Sequence, residues 1–474
     1  MKFSNQAGLL TMALATANAA SSASSSSSYQ PRTYSTYSPS ASQIAQDAAK
    51  ATSNHRTSNV TGAAANRIFQ IWLENTDYDK AAGDENLAWL ATKGITLDNY
   101  WALTHPSEPN YLASAGGDYF SLDDDRFITL PSNVSTVVDL LDTKNISWAE
   151  YQEHLPYTGF QGFNYSNQET FANDYVRKHN PLVLYESVTN DADRLANIKN
   201  FTEFYRDVNG STLPQWSFIT PNMTNDGHDT TIKVAGAWAR GFLEPLLSNE
   251  YFMENTLVVL TFDENETYSI KNKVFTILLG GAVPEKLHGT TDSTYYDHYS
   301  LLSSVEANWN LPSLGRHDVD ANVFQLIANA TNITNMAVDT TYKVNNQTYT
   351  GYLLDDQIAL PAPNVTAINK NGKGVLPKIV SVWGSEYSAQ ASASYFTSTT
   401  TTQSAASLTD AVTIASSDVQ KSASVTGSSA SASGSSISAS ASHNLTSIVS
   451  HGGSGVTGLS WTSLVALMMC SIFA

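Results

Sequence analysis

The segment RIFQIWLENTDYD, residues 67–79, changes character after its seventh residue. Apart from Arg67 and Gln70, the first seven residues are apolar, which is typical of a strand buried on both faces. Glu74 and Asn75 follow directly, and both are polar. In open α/β sheets, functional side chains collect beyond the carboxyl ends of the strands. The segment therefore predicts a central strand that delivers polar groups to one edge of such a sheet.

Similar apolar runs alternate with helical patterns along the central part of the chain. The predicted strands are Arg67–Leu73, Ile95–Trp101, Ser147–Gln152, Gln215–Thr220, Thr256–Phe262 and Val274–Leu279. The predicted helices are Glu85–Lys93, Asn133–Thr143, Asp191–Asp207, Thr230–Ser248 and Tyr299–Trp309. Apolar strands separated by helices indicate an α/β fold with a largely parallel sheet covered on both faces.

Polar side chains follow four of these strands and should meet at one edge of the sheet. They are Glu74 and Asn75, then His105 and Ser107, then Asn222, Asp226 and His228, and finally Asp263 and Glu264. A further segment supplies His298 just before a helix. Each group alone has a structural explanation, since serine caps helices and polar residues begin loops. Together they favour a functional site.

The neighbouring carboxylates Asp263 and Glu264 are costly to place together unless a cation or a proton intervenes. With Glu74 and Asn75 they form an oxygen-rich set suited to Mg²⁺, Mn²⁺, Ca²⁺ or Zn²⁺. A metal beside Ser107 would lower the pKa of its hydroxyl and make it a nucleophile. This is the outline of a phosphoryl-transfer site with a covalent phosphoserine. The sequence contains no GxSxG, Walker A or HExxH motif that competes for the role.

The two ends of the chain differ in composition from its centre. Residues 1–20 predict a secretory signal peptide, 21–65 a low-complexity segment, and 66–365 the catalytic domain. Residues 385–455, rich in Ser, Ala and Thr, predict a glycosylated stalk. Residues 456–474 predict a GPI-anchor signal, because the apolar run from Trp461 is short for a membrane span and no basic residues follow it. The candidate anchor residues are Ser450, Gly452, Gly453 and Ser454.

The rest of the composition agrees with a surface glycoprotein. Candidate N-glycosylation sites are Asn59, Asn133, Asn145, Asn164, Asn200, Asn209, Asn265, Asn329, Asn332, Asn346 and Asn364. The single cysteine, Cys470, lies in the predicted anchor signal, so no disulfide is expected. The formal net charge is −18, and no Lys/Arg run is present, which argues against nucleic-acid binding.

The segments ENTDYD, HPSEPNYLAS, TPNMTNDGHD, TFDE and DHYSLLSSVE occur in this order. In that order they resemble the phosphoesterase family of secreted fungal acid phosphatases and bacterial phospholipases C. That family belongs to the alkaline-phosphatase-like superfamily. The resemblance implies a three-layer α/β/α sandwich and a metal-dependent serine phosphatase.

By position, the resemblance also assigns residues to roles. It places a divalent metal ion on Glu74, Asn75, Ser107, Asp263 and Glu264, with Ser107 as the nucleophile. It assigns phosphate binding or leaving-group protonation to His105, Asn222, Asp226, His228 and His298. In two-metal relatives, the equivalents of Asn222, His228 and His298 lean towards a second metal. An amide at position 222 weakens that site, so one firm metal is expected.

The leading expectation is a cell-surface acid phosphatase that hydrolyses external phosphate monoesters and is held by a glycolipid membrane anchor. A phosphodiesterase or phospholipase C of the same family would use the same nucleophile, so it stays open as an alternative. A non-enzymatic cell-wall glycoprotein would share the stalk and the anchor, but it would not need Ser107. A sulfatase is excluded, because its modified nucleophile requires a different motif from the Pro-Ser-Glu found here.

Overall fold

A computed structural model describes residues 32–390 of the chain. Its strands are β1 Arg67–Leu73, β2 Ile95–Leu97, β3 Tyr100–Trp101, β4 Trp148–Gln152, β5 Asn164–Ser166, β6 Asn173–Val176, β7 Ile198–Asn200, β8 Trp216–Thr220, β9 Thr256–Phe262, β10 Thr276–Leu279, β11 Thr290–Asp292 and β12 Tyr296–Asp297. Its α-helices are α1 Ala41–Ala48, α2 Tyr78–Ala82, α3 Glu85–Ala91, α4 Ser107–Gly116, α5 Val137–Asp142, α6 Glu186–Thr189, α7 Ala192–Leu195, α8 Phe201–Gly210, α9 Ile232–Leu246, α10 Glu250–Met253, α11 Tyr299–Trp309 and α12 Gln325–Thr331. Short 3₁₀ turns span Arg177–His179, Pro181–Leu184 and Glu285–Leu287.

The main sheet has eight strands in the order β11-β2-β10-β9-β1-β8-β4-β7. All neighbouring pairs are parallel except the two that involve β10. The central strand β1 lies between β8 and β9, which come from distant parts of the sequence. Because parallel neighbours end at the same edge, the residues that follow these three strands are brought together.

Helices cover both faces of this sheet. Every residue of β8 and β9, and all of β1 beyond Arg67, is buried, which requires a layer on each side. Helix α3 packs with α9, and α11 packs with α4 and α12. The predicted three-layer α/β/α sandwich with a mostly parallel sheet is confirmed.

Two predicted elements differ from the observed ones. The helix predicted over Asp191–Asp207 is instead α7, the edge strand β7 and α8. Asn200 ends β7, and its side chain accepts from the Glu203 amide to begin α8. Ile198 pairs with β4, and this long-range pairing overrides the local helical pattern. The strand predicted over Ile95–Trp101 is split into β2 and β3, which pair in different sheets.

The folded part of the chain is longer than the predicted span 66–365. On the N-terminal side, residues 32–65 include α1 and contact the domain at several points. Arg32 donates to Tyr352 O at 2.8 Å, and His55 Nδ1 lies 2.7 Å from Asp207 Oδ1. Residues 32–65 therefore pack against the predicted domain 66–365 at these points.

On the C-terminal side, residues 377–390 form a further helix, α13, which includes the first six residues of the predicted stalk. Trp383 is buried, and its indole nitrogen donates to Asn133 O at 2.9 Å. Among residues 32–390, no helix has the length and apolar character needed to cross a membrane. The predicted signal peptide and the candidate anchor residues lie outside the described residues.

Candidate active site

The candidate site lies at the carboxyl ends of β8, β1 and β9. Leu73 pairs with Phe262 in the register of β1 and β9, so the next residues, Glu74 and Asp263, also lie side by side. The Asp263 amide donates to Leu73 O at 3.1 Å, and the Glu74 amide donates to Asp226 O at 2.9 Å. The backbone of all three strand ends is thus tied together, which brings Glu74, Asp226 and Asp263 to one place.

Ser107 is the first residue of α4 and is almost fully buried. Its Oγ donates to Glu74 Oε2 at 3.1 Å and is also within hydrogen-bonding reach of Asp263. Pro106 occupies the N-cap position, and its side chain makes no capping hydrogen bond. The Ser107 hydroxyl therefore points at the carboxylates and does not serve as a helix cap. The helix dipole at this end favours an anion beside it.

The carboxylates of the site are crowded and shielded from water. Burial raises the pKa of Asp263 to about 7. Burial, followed by the charge of Asp263, also raises the pKa of Glu74 and of Glu264 well above the ordinary value. Without a compensating cation, the ionised form of this cluster is therefore disfavoured.

Asn75 lies between two of these carboxylates. With its amide nitrogen facing them, it donates to Glu74 Oε2 at 2.9 Å and to Asp263 Oδ1 at 3.2 Å. In the opposite orientation its amide oxygen faces the same carboxylates, as it would if all three shared a cation. Asn75 therefore lies between Glu74 and Asp263 in either orientation, and it bonds to both when its nitrogen faces them.

The other carboxylate oxygen of Glu74, Oε1, contacts Tyr111 and His179, two residues that were not predicted to belong to the site. Tyr111 on α4 donates to Glu74 Oε1 at 2.5 Å, and His179 Nε2 lies 3.2 Å from the same oxygen. On its other side, His179 Nδ1 lies 3.5 Å from Asp226 Oδ2. Glu74, His179 and Asp226 are all buried and form a group that can hold a metal ion.

The donor set fits a divalent cation. Oxygen and imidazole ligands suit Mg²⁺, Mn²⁺ or Zn²⁺, and the buried carboxylates need positive charge to ionise fully. Both carboxylate oxygens of Glu264, Asp226 Oδ2 and His179 Nε2 are buried without a hydrogen bond of good geometry. Among the described residues, Glu74, His179 and Asp226 are the acidic and imidazole side chains whose ligand atoms converge. Asn75 lies against Glu74 and Asp263, and Glu264 lies against His105.

The three predicted histidines occupy different positions. His298 is fully buried, with Nε2 2.6 Å from Asp263 O and Nδ1 3.2 Å from the Tyr100 hydroxyl. Both ring nitrogens are engaged, and burial lowers the pKa of His298 to about 3. The ring therefore contacts the backbone of Asp263. The predicted role of His298 was contact with phosphate.

His105 and His228 lie closer to the acidic side chains of the site. His105 Nδ1 is 2.7 Å from Glu264 Oε2, although outside hydrogen-bond geometry, and its ring stacks on Tyr268 at 3.8 Å. Burial lowers the pKa of His105 to about 4. His228 lies at the rim with 28% of its side chain exposed, and its amide donates to Asp226 Oδ1 at 2.8 Å.

Asn222 organises its own loop. Its side-chain oxygen accepts from the Thr224 and Asn225 amides at 3.1 and 2.9 Å, while its nitrogen lies 3.0 Å from His154 Nδ1. Asp226, predicted to bind substrate, instead lies within the Glu74 and His179 group. Its pKa is raised well above the ordinary value by burial and then by Glu74.

The candidate glycosylation sites differ in accessibility. Exposed ones are Asn59, Asn133, Asn145, Asn164, Asn209, Asn329, Asn332 and Asn364, and half-buried ones are Asn200 and Asn346. Asn265 is fully buried, and its amide donates to Asp77 Oδ1 at 3.1 Å and to Thr267 O at 2.8 Å. A glycan at Asn265 is therefore incompatible with this fold.

The sequence matches a known family and named fungal proteins. The profile of the phosphoesterase family matches residues 12–312. A "Probable acid phosphatase" from Kluyveromyces lactis is 66% identical over 413 residues, which cover 87% of this chain and 98% of the relative. An "Acid phosphatase" from Aspergillus fumigatus is 61% identical over 313 residues, covering 66% and 70% of the two chains.

More distant relatives were also found. A "Phosphatidylinositol-3-phosphatase" from Mycobacterium tuberculosis is 32% identical over 229 residues, covering 48% of this chain and 70% of the relative. A solved structure of an alkaline phosphatase superfamily protein from Vibrio parahaemolyticus has a TM-score of 0.34 and 11% identity, covering 57% of this chain and 76% of that one. That last likeness is too slight to carry an argument. The family profile and the fungal relatives show that the chain belongs to the phosphoesterase family.

Proposed function

We propose that this chain is a cell-surface acid phosphatase that hydrolyses phosphate monoesters with Ser107 as its nucleophile. The observation that carries the proposal is the contact of a buried serine hydroxyl with a buried carboxylate cluster. That hydroxyl also stands at the N-terminus of a ten-residue helix, where an anion is favoured. The names of the fungal relatives support the same reaction.

Each step of the proposed reaction is assigned to a residue of the site. Ser107 Oγ attacks the phosphorus atom, its proton passes towards Glu74, and the bond from phosphorus to the leaving oxygen breaks. The leaving oxygen takes a proton, which we assign to His228 because its ring has solvent access at the rim. Water then attacks the phosphoserine and gives a proton to His228, while the bond from phosphorus to Oγ breaks. Glu74 returns its proton to Oγ, so that inorganic phosphate and free Ser107 result.

The metal ligands in this proposal are Glu74, Asn75, Ser107, Asp263 and Glu264, and the His179 and Asp226 pair provides a second position that shares Glu74. When bound, a divalent cation supplies positive charge that favours the ionised hydroxyl and offsets the charge of the transferred group. The raised pKa values of the carboxyls imply that protons compete for the same oxygens.

The first test is an assay of the purified protein on 4-nitrophenyl phosphate and on bis(4-nitrophenyl) phosphate. We expect turnover of the monoester, loss of that turnover in a chelator, and its recovery on adding a divalent cation. Faster turnover of the diester would favour a phosphodiesterase or a phospholipase C. No turnover of either substrate with any of Mg²⁺, Mn²⁺, Ca²⁺ or Zn²⁺ would favour a non-enzymatic wall glycoprotein.

The cell-surface part of the proposal rests on composition. An apolar segment near the start, a Ser/Ala/Thr-rich stretch and a terminal apolar run are the pattern of a secreted, GPI-anchored protein. We expect a phosphatidylinositol-specific phospholipase to release the protein from intact cells. Deletion of residues 461–474 should send it to the medium. Retention of the deletion variant on membranes would contradict the anchor.

A further inference from the structure

Lys178 stands at the candidate site on a rigid segment. It lies in the 3₁₀ turn Arg177–His179, which follows β6 directly. Arg177 is buried and donates to Gln161 O at 3.1 Å, to Ile128 O at 3.2 Å and to Val183 O at 2.6 Å. Three carbonyl contacts fix the turn, so the position of Lys178 is set by the backbone.

A single carboxylate links Lys178 to the helix that carries Ser107. Lys178 Nζ donates to Asp125 Oδ2 at 2.9 Å. The other oxygen, Asp125 Oδ1, accepts the amide of Glu108 at 3.0 Å. Glu108 follows Ser107 in the first turn of α4. Asp125 therefore holds the ammonium group at a defined place relative to the candidate nucleophile.

The ammonium group keeps one donor free for a ligand. Besides Asp125, its only other partner among the described residues is His228 Nε2, 3.2 Å away. His228 Nε2 can accept from Lys178 only when its ring is neutral, so at least one of the three N–H donors of the ammonium group remains, and two remain when His228 carries the leaving-group proton. The Lys178 side chain is only 14% exposed, so this donor acts where water screens charge weakly.

The charge of Lys178 also reaches the buried carboxylates. The positive charge of Lys178 acts on the buried carboxylates Glu74, Asp226, Asp263 and Glu264. The ammonium group of Lys178 forms an ion pair with Asp125 at 2.9 Å. A cation bound by the carboxylates would leave this lysine free to face an anion.

We propose that Lys178 binds a non-bridging oxygen of the transferred phosphoryl group and makes the site prefer phosphate monoesters to diesters. This inference rests on the proposed phosphatase function. A monoester dianion places two negative charges on the transferred group, whereas a diester has one and a second bulky substituent. A weakly screened ammonium group therefore stabilises the monoester more.

The test compares Lys178→Met with the wild type on 4-nitrophenyl phosphate and on bis(4-nitrophenyl) phosphate. We expect kcat/KM for the monoester to fall roughly 100-fold, because a charge-assisted hydrogen bond is lost, while kcat/KM for the diester changes by less than about fivefold. The inhibition constant of inorganic phosphate should rise roughly 10- to 100-fold. The bound-metal content should not fall.

Two further variants keep the test decisive. Asp125→Asn leaves the ammonium group in place but weakens its link to α4, and should lower the monoester-to-diester ratio about tenfold. Lys199→Met is the matched control, because Lys199 is buried and paired with Asp207 at 2.6 Å. It should lower stability and leave the ratio unchanged. If Lys178→Met does not fold, the Asp125→Asn ratio decides.

The possible outcomes distinguish a failure of the proposed role of Lys178 from a failure of the proposed phosphatase function. A wild-type protein that hydrolyses neither ester and binds no phosphate overturns the phosphatase proposal itself. If the wild type is active, and Lys178→Met has the same monoester-to-diester ratio and the same phosphate inhibition constant, only the role of Lys178 is overturned. In that case the lysine would serve to offset the carboxylates.

Discussion

Replacing Ser107 by alanine should abolish turnover and leave the fold nearly intact. We expect kcat to fall by a factor on the order of 10⁴ or more, because the attacking oxygen is removed. The stability cost should be about 1 kcal/mol, the usual value for one lost hydrogen bond. Glu74 keeps Tyr111 as a donor, and no helix cap is lost, since Pro106 holds the N-cap position.

Ser114→Ala is the matched control for this variant. Ser114 is buried in the same helix, and its Oγ donates to Tyr111 O at 2.7 Å. It should lose a similar amount of stability and keep its activity. Wild-type protein quenched with acid during turnover should carry phosphate on the peptide 105–111, detectable by mass spectrometry. Turnover by Ser107→Ala above about 1% of wild type would point to water as the nucleophile.

Replacing Asp263 by asparagine should lower both bound metal and activity. The change keeps the shape of the side chain and removes a charge beside Glu74, Asn75 and Ser107. We expect metal affinity to fall by at least roughly 100-fold, the upper range for an outer-shell change, with a parallel loss of kcat. Metal analysis and activity titrated against added cation would measure both. Full activity at low metal would contradict the ligand role.

The same variant should be more stable than the wild type when metal is absent. Burial raises the pKa of Asp263 to about 7, so the folded state binds a proton more tightly than the unfolded state. Wild-type stability in a chelator should therefore fall as pH rises from about 4 to about 7. Asp263→Asn removes that loss, so its melting temperature should exceed the wild-type value at pH 7.5 and approach it at pH 4. Added cation should reverse the order.

Asp318→Asn serves as the control for burial alone. Asp318 is fully buried and accepts the Leu314 and Arg316 amides at 2.7 and 2.8 Å. The change alters a buried acceptor of two backbone amides, so it should lower stability without any change in metal content. Equal metal loss in both variants would show that the effect comes from unfolding.

The local pattern of apolar residues was sufficient to predict the central strands and one helix of the core. Strands β1 and β9 begin and end where the apolar runs do, and α11 matches its predicted span, because continuous burial leaves a direct mark on composition. The pattern failed at Asp191–Asp207, where an edge strand interrupts a helical sequence. Edge strands are stabilised by a distant partner, and a local window does not contain that partner.

The sequence by itself determined that Glu74, Asn75, Asp263 and Ser107 stand at strand ends or at a helix start. Only the tertiary structure decided their neighbours. The order β9-β1-β8 brings residues almost 200 positions apart into contact, and the β6 segment adds His179 and Lys178 from outside the main sheet. It also turns His298 towards a backbone carbonyl and buries Asn265. Strand order and side-chain direction depend on non-local packing, and short stretches of sequence carry little record of it.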